Sequence, residues 1–170
     1  PIWKLDNTLE TYIEKVISSG EKAIFFIQSA TKGFDLYQKY RAYTLFNCSK
    51  SNKLYKYVDK AAIKNMLENR CFAEQILITT SCMDAGVSII DEGVKNIFVE
   101  MDDITTMIQC IGRKRIADGE RINLYIHNIS NQVLGGMISE IYKRLSPATD
   151  LRHVSEEEYI AMNGRPEEPI

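Results

Sequence analysis

The chain has 170 residues, of which 45% are hydrophobic and 26% charged, a composition typical of a globular domain and not of a disordered segment. No apolar run reaches the roughly 20 residues that span a bilayer, and the first residues show no signal-peptide pattern, so neither a membrane span nor secretion is predicted. Because the formal net charge is −2, any anion-binding site must be a local cluster of cations and not a basic surface.

The four cysteines do not favour a metal centre. Cys48, Cys71, Cys82 and Cys110 form no C-x-x-C pair, and only two histidines are present to supplement them. Three of the four lie in or beside apolar segments, which predicts buried, reduced thiols in a cytoplasmic protein. A catalytic Cys–His pair is a minor alternative that the sequence leaves open.

The first half of the chain alternates between helical and strand patterns. In chain order it predicts a helix over residues 7–19, a strand over 22–28, a helix over 34–40, a strand over 42–48, a polar loop over 49–57 and a helix over 59–69. Gly20 stands where the first helix is expected to stop, and Asp59 is placed to cap the last one.

The second half continues the alternation. It predicts strands over 76–80 and 96–100, a helix over 104–111, a strand over 121–127, an amphipathic helix over 133–145 ended by Pro147, and a last short helix opened by a capping box at 155–158. Strands separated by helices indicate crossover connections. We therefore predict an α/β fold, a three-layer sandwich around a mainly parallel sheet, with a C-terminal helical extension.

Hydroxyl side chains follow two of the predicted strands. Ser29 and Thr31 follow the first strand, and Thr80 and Ser81 follow the third. Hydroxyls and free backbone N–H groups at a helix start can hold a phosphate, although ordinary helix capping is the better explanation of each pair taken alone. Because the carboxyl ends of parallel strands meet at one edge of a sheet, we expect these groups to lie close together.

The segment QCIGRKR, residues 109–115, gathers cations. Gly112 removes a side chain next to Arg113 and Arg115, so that a phosphate can approach the backbone and meet guanidinium groups. The competing interpretation is a solvated helix end, where cations meet the negative end of the helix dipole. We expect these arginines to share a rim with the hydroxyls that follow Thr79.

Two nucleotide-binding motifs are absent from the sequence. It contains neither the phosphate loop G-x-x-x-x-G-K-[ST] nor the fingerprint G-x-G-x-x-G, so the chain by itself is not predicted to bind a nucleotide in either way. Glu100, Asp102 and Asp103 offer oxygen ligands suited to Mg²⁺, but helix capping and solvation explain them better. No metal site is predicted.

Three segments, in order, resemble the second RecA-like domain of superfamily 2 helicases and translocases, within the P-loop NTPases. KAIFFIQSATKG resembles motif IV, ILITTSCMDAGVSII resembles motif V, and QCIGRKR resembles the Q-x-x-G-R pattern of motif VI. The resemblance covers residues 10–129. We assign residues 1–129 to a RecA-like domain, 130–163 to a helical extension of it, and 164–170 to a disordered tail.

The resemblance implies an ATP site shared between two lobes. ATP with Mg²⁺ would bind between this domain and an N-terminal RecA-like lobe of the same polypeptide, which carries the phosphate loop and most of the contacts to the cofactor. The residues implied on this side are Arg113, Arg115 and Gln109 as catalytic groups and Gly86, Ser88 and Gly112 as cofactor-binding ones. Arginines that reach a transferring phosphate contribute about 10³–10⁵ in rate.

The resemblance also implies a nucleic-acid surface. Ser29, Thr31, Thr80 and Ser81 would hold the sugar–phosphate backbone of one strand of DNA or RNA. Contacts of this kind position a strand without reading its sequence.

Two departures from the family pattern bear on activity. Family members commonly have R-x-x-R in motif VI, whereas here Ile116 holds the place of the last arginine and Arg115 comes one residue early. Either the helix end tightens so that Arg115 serves, or one phosphate contact is lost. Ser88 stands where Asp or Asn is common.

The leading prediction is the C-terminal motor lobe of an ATP-dependent helicase, cut from a longer polypeptide that does not begin at Pro1, and inactive without the N-terminal lobe. The first alternative is a module that binds nucleic acid or protein in a parent whose ATPase has degenerated. The second is an unrelated α/β enzyme, such as a small-molecule transferase, which would need a closed pocket with a perturbed acid or base.

Overall fold

A parallel sheet forms the centre of the protein in the computed structural model, which describes residues 2–3, 7–81, 87–127, 131–150 and 155–163. Within that part of the chain the strands are β1 (Ile2–Trp3), β2 (Lys22–Ile27), β3 (Thr44–Asn47), β4 (Ile76–Thr79), β5 (Val94–Glu100) and β6 (Asn123–His127). They lie in the order β1-β6-β5-β2-β4-β3, and each neighbouring pair is parallel. The five predicted strands are confirmed, and the two-residue β1 adds an edge that the sequence did not indicate.

Helices connect the strands, as parallel pairing requires. They are α1 (Asn7–Ser19), α2 (Ala30–Lys39), α3 (Lys60–Asn69), α4 (Ile104–Ile111), α5 (Asn131–Asp150) and α6 (Glu156–Asn163), with a short 3₁₀ helix at Lys53–Tyr57 in the segment predicted as a loop. Contacts divide the chain into two compact units, residues 1–128 and 129–170. The described residues of the second unit form α5 and α6.

Helices cover both faces of the sheet, which confirms the predicted three layers. On one face α1 and α2 pack against β2, β4 and β5, with Leu9, Ile13 and Phe25 fully buried. On the other face α3 and α4 supply Met66 and Cys110 to a second cluster. Burying an aliphatic or aromatic side chain of this size stabilises the fold by about 1.5–3 kcal/mol, so the two covered faces account for the continuous apolar runs of the strands.

The strand register aligns the carboxyl ends of the inner strands. Thr79 of β4 lies opposite both Asn47 of β3 and Phe26 of β2, and Glu100 of β5 lies opposite Ile27 of β2. The segments that follow these strands therefore emerge at a common edge of the sheet, which we call the carboxyl edge.

Helix α2 begins earlier than the sequence predicts. Its N-cap is Ser29, and it runs from Ala30 instead of residue 34, so Thr31 and Gly33 are helical. Gly33 packs tightly: a Cβ atom there would lie 3.3 Å from Cγ2 of Ile78 and 3.5 Å from the ring of Phe46. A glycine after polar residues is typical of a turn. In the structure, Gly33 instead allows helix α2 to pack closely on the sheet and does not form a bend.

Most predicted caps are confirmed. Asp59 accepts hydrogen bonds from the N–H groups of Ala61 and Ala62 at 3.0 and 2.9 Å, and Gly20 adopts φ = +73° at the end of α1. Ser155 and Glu158 form the predicted capping box.

The predicted end of α5 is wrong, because the helix continues past Pro147 to Asp150. Proline has no backbone N–H, so Pro147 removes one hydrogen bond of the helix. The residues on both sides of it are nevertheless helical.

No helix in the described part of the chain is long and apolar enough to cross a membrane. Cys48, Cys71 and Cys110 form no disulfide within the described residues, and Cys48 and Cys110 are buried. Cys82 and the tail of residues 164–170 lie outside the described residues.

Candidate nucleotide and nucleic-acid surfaces

The hydroxyls after β2 lie at the carboxyl edge, where one of them already has a partner. Ser29 Oγ accepts a hydrogen bond from the N–H of Lys32 at 3.3 Å, as an N-cap does, and Ser29 and Thr31 are both exposed. Lys32 reaches from the first turn of α2 to the end of β5, where its Nζ lies 2.6 Å from Oε1 of Glu100. A ligand at this point would meet the exposed hydroxyl groups of Ser29 and Thr31. The ion pair beside them, Lys32 with Glu100, carries no net charge.

The hydroxyls after β4 differ in accessibility. Thr80 is only 8% exposed, whereas Ser81 is exposed. Ser81 lines a shallow cleft of about 250 Å³ together with Gln28, Asp102 and Thr106. Of the two predicted contacts, Ser81 therefore offers its side chain to a ligand at the surface, and Thr80 does not.

The three carboxylates after β5 have separate roles. Glu100 pairs with Lys32, and Asp103 caps α4 by accepting from the N–H of Thr106 at 2.6 Å. Hydrogen bonds from Thr106 stabilise the Asp103 carboxylate and lower its pKa. Asp102 is exposed, and its N–H donates to Oε1 of Gln28 at 3.1 Å. No group of three metal-binding side chains occurs among the residues that the structure describes.

A further cleft, which we call the lysine cleft, lies beyond the carboxyl end of β3. It has a volume of about 270 Å³, and its polar lining comes from Asn47, Ser49, Lys50, Tyr55, Lys60 and Lys64. The sequence pattern did not indicate this cleft, because its lysines come from a loop and from α3. The available signal was the i, i+4 spacing of Lys60 and Lys64, which places both on one side of a helix.

The QCIGRKR segment changes conformation within three residues. Helix α4 ends at Ile111, and the N–H groups of Arg113 and Lys114 donate to the carbonyls of Cys110 and Ile111 at 3.1 and 3.3 Å. Both bonds join residues three apart, which is the tightened geometry of a helix end. Lys114 then forms a parallel bridge with Ile89.

The bridge joins the end of the segment that resembles motif VI to the end of the segment that resembles motif V. The N–H of Ile89 donates to the carbonyl of Arg113 at 2.7 Å, and the N–H of Arg115 donates to the carbonyl of Ile89 at 2.8 Å. Nε of Arg115 also donates to Oγ of Ser88 at 3.2 Å. Ser88 therefore contacts one of the predicted arginines.

The three cations of the segment do not form one cluster. Lys114 is 3% exposed, and its Nζ lies 2.8 Å from both carboxylate oxygens of Glu120. Arg115 is exposed and Arg113 half-buried, and the Arg113 guanidinium has no hydrogen-bond or ion-pair partner among the described residues. The expected group of two or three cations thus consists of two arginines, since the lysine is buried and neutralised.

Three other residues were predicted to lie on the nucleotide side. Two of them, Gln109 and Gly112, belong to the QCIGRKR segment. Gln109 is exposed on α4, and Gly112 ends that helix with a right-handed φ of −63°. A Cβ at Gly112 would lie 3.3 Å from the carbonyl oxygen of Ile108, so the glycine also relieves a close contact within its own helix. Gly86 lies outside the described residues.

The expectation that hydroxyls and arginines share one rim is wrong. Helix α4 begins at the carboxyl edge, next to Asp103, and its eight residues carry the chain about 12 Å away from it. The arginines lie beside Ile89, and Asp91, two residues further, pairs with Lys22 at the start of β2 at 2.7 Å. The arginines thus lie toward the amino ends of the strands, because α4 runs back along the sheet.

Comparisons with known proteins place this fold. No protein-family model matches the chain, and no curated protein matches it. Among solved structures it is similar to the C-terminal part of the Fun30 ATPase domain, with a TM-score of 0.54 and 11% identity over 74% of this chain and 41% of that one. It is similar to S. cerevisiae Dbp5 bound to RNA and ADP BeF3, with a TM-score of 0.50 and 20% identity over 80% of this chain and 35% of that one.

A third similar structure is domain 2 of the Mss116p DEAD-box helicase bound to an RNA duplex, with a TM-score of 0.54 and 12% identity over 78% of this chain and 54% of that one. The chain spans between about a third and about half of the length of these structures. At sequence identities of 11–20%, similarity between structures establishes the fold alone. The chain has a RecA-like α/β fold, similar to that of these helicase domains.

Proposed function

We propose that the chain is the C-terminal motor lobe of an ATP-dependent helicase or translocase. In this proposal the side carrying Arg113, Arg115 and Ser88, which we call the arginine surface, faces ATP held by an N-terminal lobe. The carboxyl edge faces a nucleic-acid strand. The observation that carries the proposal is that the exposed Arg115 and the half-buried Arg113 flank a cation, Lys114, which is buried and paired.

Guanidinium groups suit a phosphate because they donate two parallel hydrogen bonds and stay charged. Arg113 is the stronger candidate, since its side chain has no partner among the described residues, whereas Arg115 donates to Ser88. ATP with Mg²⁺ supplies the phosphoryl group and the charge that the arginines meet. This lobe contains no phosphate loop, so the N-terminal lobe would hold most of the nucleotide.

The order of the strands supports a particular path for nucleic acid. The strands β2, β4 and β3 are neighbours, and the segments after them carry Ser29, Ser81 and the lysine cleft in that spatial order. Ser29 and Ser81 each share a shallow cleft with the exposed carboxylate of Asp102, whereas no carboxylate lines the lysine cleft. Because a phosphate is repelled by carboxylates and attracted by lysines, we propose that the strand runs from these hydroxyls across β4 and β3 toward the lysine cleft, away from Asp102.

The proposal is tested by comparing ATP hydrolysis by this chain with hydrolysis by the longer polypeptide that we propose contains it. The expected result is hydrolysis stimulated by single-stranded RNA or DNA in the longer polypeptide and none in the chain by itself, since the phosphate loop is missing. Robust, nucleic-acid-stimulated hydrolysis by the chain alone would contradict the division between two lobes.

A second candidate function is a binding module whose parent no longer hydrolyses ATP. The observation that favours it is Ile116, which is 51% exposed in the position where the family commonly has its last arginine. This function predicts salt-dependent binding of single strands by the longer polypeptide without nucleotide, and no hydrolysis under any condition. An intact phosphate loop in that polypeptide together with measurable turnover would exclude it.

A further inference from the structure

We propose that the buried Lys114–Glu120 ion pair is a positioning device, which holds the backbone so that Arg113 and Arg115 face the same side. The inference deepens the proposed function and rests on it, because it explains how a shortened R-x-R spacing can serve a nucleotide site. Lys114 and Glu120 are positioning residues and do not touch the nucleotide themselves.

The spacing of the two arginines requires an extended backbone. On a helix, residues two apart point about 200° away from each other, whereas residues three or four apart share a face. Arg113 and Arg115 would therefore diverge if α4 simply continued. On an extended segment residues two apart lie on the same side. The bridge to Ile89 gives the backbone this form at Lys114, where the carbonyl of Arg113 and the N–H of Arg115 both bond to Ile89.

The burial of Lys114, which lies between the two arginines, determines on which side of the segment the arginines lie. Lys114 and its bridge partner Ile89 are both buried, and Arg115 is exposed, which is the alternation that a strand produces. If the pairing slipped by one residue, an arginine would enter the core without a partner and Lys114 would leave it. A buried charge is tolerated only when it is paired, so Glu120 selects the observed register.

The lysine also holds the arginine backbone directly. Its Nζ donates to both oxygens of Glu120 at 2.8 Å and to the carbonyl of Arg115 at 2.7 Å, so its three protons have three acceptors. Glu120 in turn accepts from the N–H of Ala117 at 3.0 Å, and the N–H of Glu120 donates to the Ala117 carbonyl at 3.0 Å. The loop that follows Arg115 is thereby folded back under the arginine segment.

Three variants of the longer polypeptide separate positioning from stability. Lys114→Met removes the charge and leaves Glu120 unpaired, whereas Lys114→Met combined with Glu120→Leu replaces the ion pair by an apolar one of similar volume. Lys39→Met is the matched control, since it removes an exposed ion pair with Glu10 on the opposite face of the sheet. The measurements are the melting temperature, kcat and KM for ATP, and amide hydrogen exchange at Ile89 and Arg115.

We expect Lys114→Met to lower the melting temperature and to reduce kcat by about tenfold or more, with a smaller change in KM. The double apolar variant should regain the melting temperature, since a buried ion pair can be replaced by apolar side chains without loss. It should keep the low kcat and the faster exchange at Ile89 and Arg115, because nothing then binds the Arg115 carbonyl. Lys39→Met should leave kcat unchanged.

Two outcomes overturn the inference. One is recovery of kcat together with the melting temperature in the double variant, which would make the pair a structural element only. The other is unchanged exchange at Ile89 and Arg115 in Lys114→Met. Failure of the proposed function gives a different result: Arg113→Ala and Arg115→Ala would then leave turnover intact, while the exchange data still decide whether the pair positions the segment.

Discussion

The carboxyl edge of the sheet and the arginine surface are built from similar sequence signals, namely polar residues directly beyond an apolar segment. At the carboxyl edge, Ser29 and Asp103 serve as helix caps, and Thr80 is buried. At the arginine surface, the buried position is occupied by Lys114, which leaves the flanking arginines at the surface. A polar side chain is thus a stronger candidate for ligand binding when other residues already satisfy the hydrogen bonds and charges of the structure around it.

The two regions also differ in their place on the domain. They lie at opposite ends of α4, so one surface can contact a nucleotide while the other contacts a strand. Coupling between two such sites would have to pass through α4 and through the segment that bridges Ile89 to Lys114. The variants below are chosen to affect one region and leave the other unchanged.

The largest effect is expected at the arginine surface. In the longer polypeptide, Arg113→Ala should lower kcat for ATP about 10³-fold, and Arg115→Ala should lower it less, because Arg115 is partly engaged with Ser88. Both should change ATP affinity less than turnover. Steady-state hydrolysis measures both quantities, and exposed Arg41 is the control position. Unchanged turnover in both variants would show that neither arginine belongs to the ATP site.

The second effect concerns the path at the carboxyl edge. Replacing Lys60 and Lys64 together by Ala should weaken binding of single-stranded RNA and DNA about tenfold at low salt, independently of sequence. The slope of log affinity against log salt should fall by about 1.4, since two phosphate contacts are lost and each contributes about 0.7 on a single strand. Fluorescence anisotropy over a salt series measures both. Lys15→Ala, on α1 near the amino ends of the strands, should change neither, and an equal loss there would contradict a defined path.

A third test separates capping from binding at Ser29. Ser29→Ala should destabilise the fold by about 1 kcal/mol, because the N–H of Lys32 loses its acceptor. Ser29→Asp keeps the cap and should keep the stability, but its charge should weaken nucleic-acid binding if a phosphate passes close to Ser29. Urea unfolding and anisotropy give the two readouts. Full binding by Ser29→Asp would show that this residue serves α2 alone.

The smallest effect is the dependence of stability on acid. Hydrogen bonds from the Lys114 side chain and from Ala117 lower the pKa of Glu120, and hydrogen bonds from Thr106 lower the pKa of Asp103. A carboxyl group whose pKa is lower in the folded state contributes stability above its unfolded pKa of about 4, and this is lost as the pH falls through the folded pKa.

Urea unfolding between pH 7 and pH 3 should therefore show a loss of stability that begins below about pH 5. Glu120→Gln and Asp103→Asn should each make this loss shallower, since each removes one titrating group. Parallel curves for the variants and the parent chain would show that other carboxylates control the acid transition.

Much of the fold followed from local patterns. The continuous apolar run of β2, the helical spacing of Leu9 and Ile13, and the caps at Asp59 and Asp103 each act within a few residues, so the sequence displays them. The sequence predicts that helix α2 starts after Gly33, because the role of this glycine, close packing on Ile78, involves a residue 45 positions away. Such long-range contacts leave no local periodicity.

The sequence by itself determined the αβα layering, the parallel sheet and the identity of the residues that reach its carboxyl edge, because helix and strand periods and caps are short-range properties. Tertiary structure alone decided that α4 carries the arginines away from that edge, that Lys114 turns inward toward Glu120, and that three lysines border one cleft. These outcomes depend on the direction of packed elements and on the pairing of buried charges, which are settled only when distant segments meet.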